Sequence, residues 1–172
     1  MTAEEILAHI RNVPDFPKDG ILFKDITTAI KEPKVYKAII DSLAKLVKDL
    51  DFDYIAAIES RGYIIGAPLA YKLNKGLIII RKPGKLPAEV VREDYSLEYG
   101  VDSLEMHKDA VKKGDKVLVV DDLLATGGTT KAACKLVKKV GADVIGCLFL
   151  LELAALSQKA NLPAPVYSLI KC

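Results

Sequence analysis

From Asp53 onward the apolar positions gather into short, nearly unbroken runs: "YIAAIES", "LIIIRK", "KVLVVDD", "DVIGCLFLLEL" and "PVYSLIK". Strict alternation would mark strands with one wet face, whereas unbroken runs of this length mark strands buried on both faces. With helix-length segments between most of them, the pattern predicts an α/β fold: a central, mostly parallel twisted sheet flanked by helices. Ahead of Asp53 the period is helical. Tyr36, Ile39, Ile40, Leu43, Leu46, Val47 and Leu50 recur at three- and four-residue spacing behind Pro33, a residue suited to the first helical position. Thr2 with Glu5 three residues on forms a capping box, which predicts a short first helix with Ile6, Leu7 and Ile10 as its stripe.

Two stretches keep neither period. "NVPDFPKDGILFKDIT", punctuated by Pro and Gly, falls within an N-terminal segment, 1–32, expected to form a small hood. "EVVREDYSLEYGVDSLEMHK" alternates, with Tyr99 and Gly100 at its tip or shoulder, and residues 91–106 are expected to be a long flexible lid excursion. The length fits a single domain over 1–172, and no internal repeat or linker interrupts it.

Composition narrows the partners. Charged residues are 28% of the chain and cancel to a net +2, and hydrophobic residues are 51%, a globular balance that argues against general nucleic-acid binding. No run reaches the roughly 18 apolar residues of a membrane span. The start, "MTAEEILAHI", is acidic where a secretory signal is basic and then apolar, so a cytoplasmic protein is expected. Cys134, Cys147 and Cys172 form no C-x-x-C pair, and His9 and His107 stand near none of them, so no Cys/His metal site is expected.

The candidate chemistry lies in "VVDDLLATGGTT", Val119 to Thr130. An apolar strand runs into Asp121 and Asp122, and helical spacing resumes from Thr129, so the intervening residues form a tight turn at the carboxyl edge of a central strand. That edge is where open α/β sheets bind ligands. Gly127 and Gly128 let backbone N–H groups converge, Thr126, Thr129 and Thr130 add hydroxyls, and the helix dipole favours an anion. The triphosphate loop G-x-x-x-x-G-K-[ST] and the dinucleotide motif G-x-G-x-x-G are both absent from the sequence. Carboxylates repel phosphate and accept from hydroxyls, so acids beside a phosphate loop describe a ligand with both groups, such as a ribose 5-phosphate.

"VVDDLLATGGT" resembles the phosphoribosyl-pyrophosphate signature of the type I phosphoribosyltransferases. "DFPKDGILFKDIT", "ESRGYIIGAPLA", "RKPGKLP" and "YSLEYG" occur with it in the family's order, covering almost the whole chain, and the match is best to the adenine-using branch. The hypoxanthine–guanine branch carries an aspartate just before the Thr-Gly of the loop, where this chain has Ala125. The resemblance implies transfer of the phosphoribosyl group to adenine, giving AMP and pyrophosphate in purine salvage, with Mg2+ as cofactor held mainly through the substrate and water.

It also implies site residues. Ala125, Thr126, Gly127, Gly128 and Thr129 would grip the 5-phosphate, and Asp121 and Asp122 would hold the ribose and face the cationic transition state. Ser60, Arg61, Lys82, Lys85 and Tyr99 would bind pyrophosphate, with a cis peptide bond expected at Ser60–Arg61. Phe23 would stack on adenine opposite Leu123, with Leu22 reading the base edge through its backbone. Lys24 would be a base contact, although many relatives carry arginine there and lysine offers a point charge instead of a planar donor fork. Glu98 would handle a purine-ring proton. A homodimer binding small molecules, without nucleic acid or membrane partners, is the expected state. Alternatives are transfer to another nucleobase or a non-catalytic phosphoribosyl-pyrophosphate-binding regulator, which the intact Glu98, Arg61 and Lys82 disfavour. A signalling receiver domain would place its acid pair near the amino terminus and supply a later phosphoacceptor aspartate, which no later apolar run offers.

Overall fold

The capping box closes as the spacing requires: Thr2 N donates to Glu5 Oε2 at 2.8 Å and Glu5 N to Thr2 Oγ1 at 3.2 Å. It opens α1 (Ala3–Ala8) in the computed structural model, which describes residues 1–96 and 100–172. The Pro- and Gly-punctuated stretch folds into an antiparallel hairpin of β1 (Arg11–Pro14) and β2 (Leu22–Asp25), followed by α2 (Thr27–Ile30). Pro33 does begin the helix that the spacing predicts, α3 (Pro33–Leu46).

Each of the five apolar runs contains one strand of a single parallel sheet. Along the chain come β3 (Tyr54–Ile58), α4 (Arg61–Leu73), β4 (Gly76–Ile80), then β5 (Val90–Ser96) and β6 (Val101–His107), which pair as a separate antiparallel ribbon. After these come β7 (Lys116–Leu124), α5 (Gly128–Lys139), β8 (Asp143–Glu152), α6 (Ala154–Ser157) and β9 (Val166–Lys171). The sheet order is β4-β3-β7-β8-β9. Val117 to Val120 are fully buried. Leu118 and Val120 join the core beneath α1, α3 and α4, while Val117 and Val119 join the core on the α5 side, the two-sided burial that unbroken apolar runs require.

From β3 the chain crosses outward to β4, and from β7 it crosses the opposite way to β8, so the switch in direction falls between β3 and β7. The carboxyl ends of these two neighbours carry "ESRG" and the two aspartates, and a crevice opens there. Two glycines four residues apart seat α4 close beside it. A Cβ on Gly66 would lie 2.6 Å from Ala57 Cβ, and one on Gly62 3.0 Å from Asp121 Oδ1.

Two details differ from expectation. β7 continues past the acids to Leu124, because Leu123 and Leu124 still pair with Leu151 and Glu152 of β8, so the turn shrinks and α5 already begins at Gly128. The 91–106 excursion is, apart from residues 97–99 outside the described set, a ribbon fastened to the core. Leu104 and Met106 of β6 are fully buried, and Glu93 accepts from Lys135 and Lys139 of α5 at 2.9 and 2.6 Å. Cys134 and Cys147 face each other inside the core and Cys172 is exposed.

Candidate active site

The acids at the end of β7 occupy unlike environments. Asp122 is only 3% exposed, and its carboxylate accepts from Arg61 Nε at 2.6 Å. Asp121 accepts from the Asp122 N–H at 2.8 Å. Burial, and then the negative charge of Asp122, push the Asp121 carboxyl well above the usual carboxylate range. The two acids are thus crowded at the crevice floor, where the charge of Asp122 is countered by the Arg61 guanidinium and raises the cost of ionising Asp121.

Beyond the acids, β7 turns into α5 through Ala125, Thr126 and Gly127. Gly127 has φ +80°, and a Cβ there would lie 2.7 Å from Ala160 Cβ, so both the backbone and the space demand glycine. Gly128, expected to share that role, is instead the first residue of α5, and its nearest neighbour to a Cβ would be 3.7 Å away. No side chain caps α5, so its leading N–H groups are free of side-chain caps and available to an anion at the positive end of the dipole. The loop from Asp121 to Thr130 encloses about 170 Å³, and Leu123 lines it.

Across the crevice the β3–α4 turn holds a cis peptide bond at Glu59–Ser60, one residue before the expected Ser60–Arg61. Arg61 already starts α4, so the bond preceding it belongs to the entry of the helix. Glu59 ties this turn to the end of β4, accepting from Arg81 Nε at 3.0 Å and from the Lys82 N–H at 2.9 Å. Arg81 is thereby engaged in the scaffold, while Lys82 turns its ammonium into a cleft of about 310 Å³ also lined by Ser60 and Arg61. There Lys82 Nζ donates to Tyr95 OH at 3.1 Å and to Asp102 Oδ2. Partial burial pulls the Lys82 pKa down, but those two hydrogen bonds outweigh it and the net shift is upward. Lys85 is exposed and does not line this cleft; its carbonyl accepts from Arg81. Glu98 and Tyr99 lie outside the described residues. Tyr95 and Asp102, which sequence reasoning missed, are register partners across the ribbon, a pairing legible only once β5 and β6 are known to face each other.

On the third side an apolar cleft of about 440 Å³ lies under the N-terminal hairpin. Phe23 meets Phe16 edge to face, centroids 5.1 Å apart, and the Arg61 guanidinium carbon lies 5.3 Å from the Phe23 ring centre. Phe16 was also missed, because nothing in "DFPKDG" marks its ring as facing Phe23. Strand alternation sends Leu22 and Lys24 away from Phe23: Leu22 is half exposed, and Lys24 Nζ donates to Asn12 Oδ1 at 2.8 Å across the hairpin. Neither side chain lines the apolar cleft. Asp25 anchors the hairpin. Hydrogen bonds from Thr27, and then from Arg11 at 2.5 Å, bring its pKa down to about 2.

Arg61 lines all three clefts. One guanidinium thus adjoins an apolar aromatic wall, an acidic floor with an amide-lined turn, and a polar cleft into which Lys82 points. No group of three or more His, Cys, Asp or Glu side chains among the described residues forms a metal cage, and no described helix is long and apolar enough to cross a membrane.

The family model for the phosphoribosyl transferase domain matches residues 27–172. An adenine phosphoribosyltransferase of Kosmotoga olearia is 56% identical over 153 residues, 89% of this chain and 90% of the relative. The crystal structure of adenine phosphoribosyltransferase from Thermoanaerobacter pseudethanolicus matches with a TM-score of 0.97 at 53% identity, covering 99% of this chain and 100% of that one. The Saccharomyces cerevisiae enzyme, complexed with D-2,5-dideoxy-2,5-imino-altritol 1,6-bisphosphate and adenine, matches with a TM-score of 0.92 at 37% identity over 98% of each chain. The strand-end acids, the turn into α5 and the apolar hood are thus carried by a chain that belongs to the phosphoribosyl transferase family, in its adenine phosphoribosyltransferase branch.

Proposed function

We propose that the chain transfers the 5-phosphoribosyl group of phosphoribosyl pyrophosphate to adenine, releasing pyrophosphate and forming AMP, a step of purine salvage. The observation that carries the reading is the contiguity of three chemically distinct clefts around Arg61. A flat apolar base, a phosphorylated ribose and a polyanionic leaving group, joined in that order, match the three in turn. The yeast relative holds adenine and a bisphosphorylated imino sugar together, the same combination of base and phosphorylated ring.

In this reading the N–H groups from Ala125 to Thr129 hold the 5-phosphate and Asp121 and Asp122 accept from the ribose hydroxyls. As pyrophosphate departs, the anomeric carbon becomes cationic, and the negative floor stabilises it without reorganising. Ser60, Arg61, Lys82 and Tyr99 receive the leaving group, and Lys85, outside the cleft, would reach it only by swinging inward. Phe23 stacks on adenine, Leu22 reads its edge through the backbone, Leu123 covers the opposite face from the side of the phosphate turn, and Glu98 manages the ring proton, while the Lys24 side chain, bonded to Asn12, makes no base contact. Mg2+, held mainly through the substrate and water, would neutralise the leaving group's charge. Ala125 favours adenine over hypoxanthine and guanine, since that position has no carboxylate to serve those bases. A cytoplasmic homodimer is the proposed working state, on the strength of the family resemblance.

The test is AMP formation from adenine and phosphoribosyl pyrophosphate, with hypoxanthine, guanine and orotate as competitors. Preferred use of another base, or binding without turnover, would replace this reading with one of the alternatives. Glu98→Gln is expected to lower kcat by about 100-fold or more with binding retained; near-normal turnover would remove Glu98 from the chemistry.

A further inference from the structure

Lys82 lines the cleft read as that of the leaving group, and it is already partnered by an anion. Its ammonium donates to Asp102 Oδ2 and, at 3.1 Å, to Tyr95 OH; the Tyr95 hydroxyl also lies 3.1 Å from the same carboxylate oxygen. The three groups close a triangle. Its acid is aimed from behind, because Asp102 Oδ1 accepts the Ser103 N–H at 2.8 Å. Its tyrosine reaches the other half of the site, where Thr129 Oγ1 lies 3.5 Å from Tyr95 OH.

We propose that Asp102 is an internal stand-in for pyrophosphate, a positioning residue that holds Lys82 in the cleft when the leaving group is absent and competes for it when the leaving group is present. The proposal rests on the phosphoribosyl-transfer reading. The side chains of Lys82 and Asp102 are 38% and 31% exposed, so the ammonium can change partners without stranding a buried charge. A multiply charged pyrophosphate outbids a single carboxylate for the lysine. Asp102, fixed on its strand, then remains as a like charge beside the bound anion. Affinity at the pyrophosphate end is thereby held down, and Lys82 has a partner waiting as the product leaves. Without this competitor the same cleft would retain pyrophosphate and slow its own turnover.

Calorimetric titration of wild type and Asp102→Asn with phosphoribosyl pyrophosphate plus Mg2+, and separately with AMP, tests this, because AMP shares the ribose phosphate and lacks pyrophosphate. Loss of the competing charge is expected to tighten phosphoribosyl pyrophosphate by about tenfold and to lower the inhibition constant of product pyrophosphate by a similar factor. AMP affinity should stay within about twofold, and Asp102→Glu, which keeps the charge, should remain near wild type. Asp102→Ala is the second neutral variant should Asp102→Asn fold poorly, and it should show the same gain. Unchanged or weaker phosphoribosyl pyrophosphate binding in the neutral variants, or an equal shift for AMP, overturns the proposal. A wild type that makes no AMP overturns the transfer reading itself; an active wild type without the gain in the neutral variants overturns only the role of Asp102.

Discussion

The turn between β7 and α5 and the hairpin over the apolar cleft are built on opposite plans. The turn is made of main chain, backed by the four consecutive fully buried residues Val117 to Val120, and uses one left-handed glycine to lead into a helix whose first N–H groups have no side-chain cap. The hairpin is made of side chains on two short strands, with Leu22 and Phe16 about half exposed, and it carries a pair of rings beside an Arg11–Asp25 ion pair; in the proposed reading these rings meet the base. A phosphate is the same in every substrate of such a fold and can be met by fixed backbone. A base must be told from other bases, and that demands side chains on an element that can vary without disturbing the sheet.

The sharpest way to break this contrast is Gly127→Val. A branched residue at φ +80° that also meets Ala160 should cost about 3 kcal/mol of stability and weaken phosphoribosyl pyrophosphate and AMP at least ~100-fold by calorimetry. Gly128→Ala, whose added Cβ would make only ordinary contacts with Tyr95 and Ser96 at 3.7 and 3.8 Å, should leave the melting temperature unchanged. Retained affinity in Gly127→Val would mean that the phosphate sits elsewhere. A milder effect is expected on the hood: Phe23→Ala should raise KM for adenine by about tenfold and leave phosphoribosyl pyrophosphate affinity alone. Equal losses for both substrates would deny that the hairpin is a separate base-recognition unit.

The smallest effect is expected from pH. Asp25 is held at about 2, below its ordinary 3.8, chiefly by Thr27 and then by Arg11. Because the folded value is the lower one, its contribution is present above the ordinary value and is lost as pH falls from about 4 towards 2. Thermal melts of wild type against Asp25→Asn across that window should converge by on the order of 2 °C, the group being close to solvent. A constant gap would show that the ion pair does not fasten the hood.

What could be read from residues alone divides along the same line. The sheet, α3, the capping box and the tight turn between β7 and α5 depend on neighbours in sequence, so period and spacing revealed them. The edge pairing of Phe16 with Phe23, the triangle of Lys82, Tyr95 and Asp102, and the salt bridge from Arg61 to Asp122 join residues brought together by register and crossover. No local pattern encodes those distances. Even the misplacement of the cis bond by one residue has this origin, since "ESRG" does not say where β3 stops and α4 begins. Lys24 is similar: its number in the motif suggests the base, while strand parity turns its side chain towards Asn12.

The seating of α4 carries a lesson for protein engineering. Exchanging a helical glycine for alanine is an ordinary route to a hardier variant, worth about 0.4–1 kcal/mol where the site tolerates it. Here the exchange would backfire at Gly66, whose added methyl would press on Ala57 at 2.6 Å, and at Gly62, where it would meet Asp121 at 3.0 Å. Lifting the helix at either point would draw Arg61 away from Asp122. A stabilised variant should be sought on the outward side of α4, where Tyr71 is 91% exposed.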